Sequence, residues 1–186
     1  MRVVGGRFKG RALAAPKGKT TRPTSDRVRE ALFNQIVHAP WGRELEGKRV
    51  IDLFAGSGAL GVEAISRGAG FALFVEIDAG ARGAIRDNID ALQLFGITRI
   101  HRRSAVALGA KPANLGEKFD LAFLDPPYGE GLGEKALQVL VEGEWLAGDA
   151  LVVLEVGENE TPDLPGWTVL DERVYGAAKV IFLERA

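Results

Sequence analysis

The sequence predicts an α/β fold built on a mostly parallel sheet, and three observations predict it. From residue 48 onward, short β-prone apolar runs alternate with stretches of helical periodicity, the pattern of βαβ units sharing one sheet. A glycine-rich turn, Gly56-Ser57-Gly58, falls between the first such run and the helix after it. The last two β-prone runs, residues 167–175 and 179–184, are joined by Gly176-Ala177-Ala178 alone. A parallel crossover needs a dozen or so residues, so this last pair must be antiparallel.

Each element follows from local chemistry. Gly5-Gly6 between Val3-Val4 and Arg7-Phe8 is a hairpin signal, which predicts a small basic β-hairpin projecting from the domain. Thr24 or Ser25 caps a helix with Asp26 in its first turn, where the helix dipole favours an anion. Val28, Ala31, Leu32, Phe33 and Ile36 form its apolar stripe, leaving Arg22, Arg27 and Arg29 to face outward. The helix stops before Pro40, because the residue ahead of a proline avoids the helical region. Strands are expected at 49–54, 71–77, 97–102, 119–124 and 150–156, and helices at 59–67, 78–94 and 130–142. The antiparallel pair brings the sheet to seven strands, the arrangement of one class of Rossmann-like domain. The N-terminal hairpin and helix are assigned to residues 1–40 and the sheet domain to residues 41–186.

With 186 residues the chain is long enough for one core without staples. Cysteine is absent, which excludes disulfides, thiolate metal sites and cysteine nucleophiles. His38 and His101 show no metal-ligand spacing, so no metal is expected. No stretch approaches the roughly 20 apolar residues of a membrane span, and no signal-peptide core is present; a soluble, cytoplasmic protein is expected. The net charge of −1 hides an asymmetry: residues 1–30 carry nine Lys/Arg against Asp26 and Glu30, and the remainder is net acidic. A basic arm of this kind suits a polyanion. Its candidate contacts are Arg2, Arg7, Lys9, Arg11, Arg22, Arg27 and Arg29.

The candidate site gathers at strand ends. Gly56, Gly58 and Gly61 fit G-x-G-x-x-G between a strand and a helix, the context that match requires. Glu76 closes the second strand, where a carboxylate can accept both ribose hydroxyls. Asp52, Glu76, Ser104 and Asp125 all fall at or just beyond the carboxyl ends of successive strands, the edge where open α/β sheets bind ligands. An acid at Asp52 would crowd a pyrophosphate but suits the ammonium of a methionine moiety. This favours S-adenosylmethionine over a nicotinamide cofactor, with Phe54 and Thr24 added to the cofactor set. After the fourth strand, Pro126 and Pro127 stop the ladder. They leave the Asp125 carboxylate, stiff carbonyls and the Tyr128 ring facing a flat substrate that carries an amine.

Asp125-Pro126-Pro127-Tyr128 resembles the DPPY motif of amino-methyltransferases that act on exocyclic amines of bases. The block from Arg22 to Asn34 (RPTSDRVREALFN), the opening MRVVGG and the stretch from Asp52 to Gly61 narrow this further. They resemble the small bacterial 16S rRNA guanine-N2 methyltransferases, over essentially the whole chain. The resemblance implies a class I S-adenosylmethionine-dependent methyltransferase fold and a guanine target, position 966 of 16S rRNA, free or in the small ribosomal subunit. Family members commonly carry an aspartate where this chain has Ser104, the residue expected to hold the adenine amine. The catalytic expectation is that Asp125 and the Pro126 carbonyl accept the amine hydrogens while Tyr128 stacks on the extruded base. Rivals are an adenine-N6 DNA methyltransferase, for which no target-recognition region is long enough, and a non-catalytic RNA-binding assembly factor, which would not need Asp52, Gly56, Gly58, Glu76 and Asp125. Against a nicotinamide oxidoreductase stand Asp52 and the two prolines.

Overall fold

The computed structural model describes residues 1–17 and 24–186. Arg22, one of the expected RNA contacts, lies outside the described residues. Seven strands, β1 (Arg49–Leu53), β2 (Phe71–Val75), β3 (Thr98–His101), β4 (Phe119–Leu124), β5 (Leu146–Gly157), β6 (Trp167–Tyr175) and β7 (Ala178–Arg185), form one sheet in the order β3-β2-β1-β4-β5-β7-β6. The first five run parallel, and β7 pairs antiparallel with both β5 and β6. β4 and β6 occupy the residues expected of them. β5 starts earlier than expected, at Leu146, where its pairing with β4 is irregular between Phe119 and Leu121.

Alternate residues of the central strands feed two separate cores. Val50, Phe74, Phe123 and Val153 point to a layer formed by α1 (Asp26–His38), α2 (Ala59–Ser66) and α3 (Ala79–Leu92). Ile51, Leu53, Leu124 and Leu154 point the other way, to α4 (Leu132–Glu142) and the buried Trp145. Trp145 donates its indole N–H to the Gly109 carbonyl at 2.8 Å, which makes it a packing residue. No helix among the described residues is long and apolar enough to cross a membrane.

α1 and α3 start with side-chain caps, whereas α2 and α4 start at Gly58 and Gly131 without one. Ser25 Oγ accepts the Val28 N–H at 3.2 Å and Asp78 accepts the Ala81 N–H at 2.9 Å, each supplying an oxygen to an otherwise unpaired first-turn donor.

The N-terminal segment departs from expectation in two ways. Gly5-Gly6 does not turn a two-residue β-hairpin. Residues 6–8 form a 3₁₀ turn, and the flanks meet through the antiparallel Arg2–Ala12 bridge. Nor does the segment project. Val3 and Leu13 are buried in the same core as α1 and α2. Its backbone donors are satisfied by α2: Val4 and Gly5 donate to the Glu63 carboxylate at 3.0 and 2.9 Å, and Phe8 donates to Ser66 Oγ at 3.0 Å. Gly6 has φ +76 and packs so closely on the Ser66 carbonyl that a Cβ would sit 1.9 Å from it, so this contact requires glycine.

The second correction is Arg29. Expected to face outward, it is fully buried. Its Nε meets Glu63 at 3.1 Å, and its guanidinium also reaches Asp26 at 2.9 Å and the Arg2 carbonyl. Glu63, itself fully buried, takes Arg67 at 2.9 Å as well. A charge survives burial only when paired and hydrogen-bonded, and this cluster meets that condition.

Candidate active site

Sheet order reverses between β1 and β4, so the crevice beyond their carboxyl ends is the topological switch point of an open α/β sheet. Asp52 lies within β1, Glu76 directly follows β2, Ser104 follows β3 and Asp125 directly follows β4. Leu53 and Leu124 are register partners, which sets Phe54 beside Asp125. The structure therefore brings the four expected strand-end residues to one edge.

The loop from Phe54 to Gly58 is shaped for backbone approach. Phe54 has φ 59, a conformation that is a genuine outlier for a bulky residue and stores about 1–3 kcal/mol of strain, as functional loops often do. Gly56 has φ +60, and a Cβ built there meets nothing within 4 Å; the space above its backbone is open for a ligand. Its N–H donates to Glu76 Oε1 at 2.8 Å, while Asp78 N–H holds Oε2 at 2.9 Å. Glu76 is thereby oriented, with a lone pair still available on each oxygen. The buried Asn88 braces the loop from below, donating to the Ser57 carbonyl at 2.9 Å and accepting the Ala14 N–H at 2.7 Å.

Asp52 is 1% exposed and accepts the Gly61 N–H at 3.0 Å. Burial pushes its carboxyl up to about 8; the Gly61 N–H opposes that rise and the charge of Glu76 adds to it. An acid raised in the folded state keeps a proton that the unfolded chain has already lost. Between pH 4 and about 8 this group therefore subtracts stability as pH rises, and below pH 4 it has no effect. Asp52→Asn is expected to remove that slope from the ligand-free protein. Melting temperatures of the two proteins should diverge from pH 5 to pH 8 in favour of the asparagine variant; parallel pH profiles would rule the effect out.

Around Asp125, a cleft is lined by Thr24, Val28, Leu32, Leu60, Asp125 and Glu155 among others. The α1 capping region thus meets the end of β4, which brings Thr24 and Asp125 to one cleft. Pro126 is buried and Pro127 exposed, a stiff pair that fixes the direction of the chain. Tyr128 donates its hydroxyl to Glu155 at 3.1 Å, and Glu160 holds the following turn through the Gly129 N–H at 3.0 Å. Ser104 is half-buried, with its Oγ 3.4 Å from the Val106 N–H.

The expected RNA contacts do not gather here. Arg7 lies over the Phe8 ring at 4.7 Å, and Arg11 donates to the Ala91 carbonyl in the last turn of α3 at 2.9 Å. The turn carrying Lys9 rests on Ser66, at the C-terminal end of α2. Helix C-termini lie at the amino edge of the sheet, opposite the site. Arg2, Arg7, Lys9, Arg11 and Arg27 are exposed, and of these Arg27, in the first turn of α1, is next to the cleft. One cleft residue had not been anticipated: Glu155, which follows the apolar run 150–154 near the carboxyl end of β5 and lines the cleft with Asp125.

Sheet order, antiparallel closing pair and acid-lined edge define a class: the Rossmann-like class I methyltransferases. The solved structure of yhhF from Escherichia coli shares the fold with a TM-score of 0.80 at 32% identity, covering 100% of this chain and 97% of that one. A family model described as Conserved hypothetical protein 95 matches residues 1–184, and the chain belongs to that family. It is 36% identical to Ribosomal RNA small subunit methyltransferase D of Escherichia coli (strain K12), over 95% of this chain and 85% of that protein. It is 37% identical to YlbH of Bacillus subtilis (strain 168), over 100% and 99%.

Proposed function

We propose that this protein is an S-adenosylmethionine-dependent rRNA methyltransferase that modifies the exocyclic N2 amine of a guanine in 16S rRNA, guanine 966 by family resemblance. The rRNA part of this reading is supported by the relatives named for small-subunit rRNA methylation. The observation that carries the chemistry is the meeting of Asp125-Pro126 with the Asp52, Gly56 and Glu76 edge at the switch point.

The residues present fit the cofactor. The open space above Gly56 admits a ligand against backbone, Glu76 is oriented to accept ribose hydroxyls, and the buried Asp52 offers an acid to an ammonium. Phe54, Gly58, Thr24 and Ser104 complete the set. When bound, S-adenosylmethionine supplies an electrophilic methyl group.

The guanine amine is a poor nucleophile because its lone pair is delocalised into the ring. Asp125 and the Pro126 carbonyl accept its two hydrogens, draw the nitrogen toward tetrahedral geometry and stabilise the positive charge that develops on it. Acceptors fixed by a Pro-Pro turn need not reorganise as that charge grows. Asp125 then takes the departing proton. Tyr128, steadied by Glu155, stacks on the extruded base. Arg27, in the first turn of α1, contacts the nearest phosphates; Arg2, Arg7, Lys9, Arg11 and Arg22 are the further phosphate contacts, and affinity falls with salt accordingly.

Incubation with labelled S-adenosylmethionine and naked 16S rRNA, small subunits or duplex DNA tests the reading. Label is expected on N2 of one guanine of 16S rRNA. Label on an adenine, or in DNA alone, overturns it.

A further inference from the structure

Glu155 lies outside the motif that defines the proposed reaction, yet the sheet sets it beside Asp125. Leu124 and Leu154 are register partners in the parallel β4–β5 pair. The next residue on each strand, Asp125 and Glu155, therefore reaches the carboxyl edge on the same face, about 4.8 Å apart between strands. Both line the cleft under Thr24 and Val28. Glu155 is half-buried, and its Oε2 accepts the Tyr128 hydroxyl at 3.1 Å. A carboxylate has about four acceptor positions, so this bond orients Glu155 without saturating it.

The edge of an extruded guanine presents three donor hydrogens side by side, one on N1 and two on N2, whereas adenine has a bare acceptor at N1. In the proposed arrangement Asp125 and the Pro126 carbonyl are each aimed at a hydrogen of the amine, which leaves the N1–H to a neighbouring acceptor. We propose that Glu155 accepts the N1–H of the target guanine and so sets the specificity of the site for guanine. The inference rests on the guanine-N2 reading of the reaction. Enzymes that extrude a base read it through hydrogen bonds to this edge, and a buried acceptor facing another acceptor is penalised rather than merely unrewarded. Glu155 thereby does two things at once: it fixes the tyrosine that stacks on the ring, and it reads the ring's identity.

Guanine and 2-aminopurine, placed in turn at the mapped target position of an rRNA substrate, separate these roles. 2-Aminopurine keeps the N2 amine but has no hydrogen on N1. The wild type is expected to favour guanine in kcat/KM by about 10- to 100-fold, the usual worth of one specific base contact. Glu155→Gln, whose amide can donate to a bare N1, should shrink that preference at least about tenfold, losing on guanine and gaining on 2-aminopurine. Glu155→Ala should shrink it through loss on guanine alone, which covers the case in which the glutamine variant misfolds. Equal losses on both bases in the Glu155 variants would overturn the proposal and leave the guanine-N2 reaction standing. Wild-type protein that labels no guanine would overturn both.

Discussion

Asp125→Ala is expected to slow methyl transfer by about 10²–10³-fold, the usual cost of removing one preorganised group aimed at developing charge. Cofactor affinity should change little, because the proposed arrangement gives Asp125 to the base and Asp52 and Glu76 to the cofactor. Asp125→Asn is the sharper variant. It keeps an oxygen in place but brings an NH₂ to a site that needs acceptors, and it carries no charge to offset that on the amine. Its rate should fall nearly as far as that of the alanine variant. Single-turnover transfer, read beside calorimetric titration of cofactor, measures both quantities. Near-normal turnover in Asp125→Ala at full cofactor affinity would mean the carboxylate is not the acceptor.

The largest loss of stability is expected from Glu63→Ala. The variant leaves Arg29 with its guanidinium fully buried and takes away the carboxylate that holds the Val4 and Gly5 N–H groups. Removing one partner of a buried pair typically costs about 3–5 kcal/mol, a large share of the roughly 5–15 kcal/mol that holds a domain together. The double variant Glu63→Leu with Arg29→Met should recover only part of it. Two apolar chains relieve the stranded charge but still offer nothing to the two backbone donors. Urea denaturation measures the difference through the midpoint, and a loss below about 1 kcal/mol would show that water or a neighbour replaces the carboxylate.

Much of the fold was legible because its signals are local. Residues 119–124 read as a buried strand, and two prolines after Asp125 left it nowhere to continue, so that strand end was placed correctly. Strand-end acids found Asp52, Glu76 and Asp125 for the same reason. Arg29 was misread because residue type was weighed above position. Residues 29, 33 and 36 share one helical face, so the spacing already placed Arg29 in the apolar stripe. Glu63 occupies a matching buried place on α2, and opposite charges on two apolar stripes are the sequence trace of a buried pair. Glu155 obeyed the strand-end rule, but no motif drew attention to it. The N-terminal segment was illegible for a deeper reason. Its hydrogen-bond partners are Glu63, Ser66 and Asn88, dozens of residues away, and no local pattern encodes a partner at that distance.

That distance also fixes an order of events. Val4 and Phe8 reach partners 59 and 58 residues further along, and Ala14 reaches one 74 residues further along. During synthesis these residues emerge before α2 and α3, so their native backbone partners are missing until those helices have formed and packed. Contacts so remote in sequence carry a loop-closure cost that local ones do not. This segment, made before the helices that hold it, is therefore among the last that can settle, and Arg29 lacks its buried partner until Glu63 arrives.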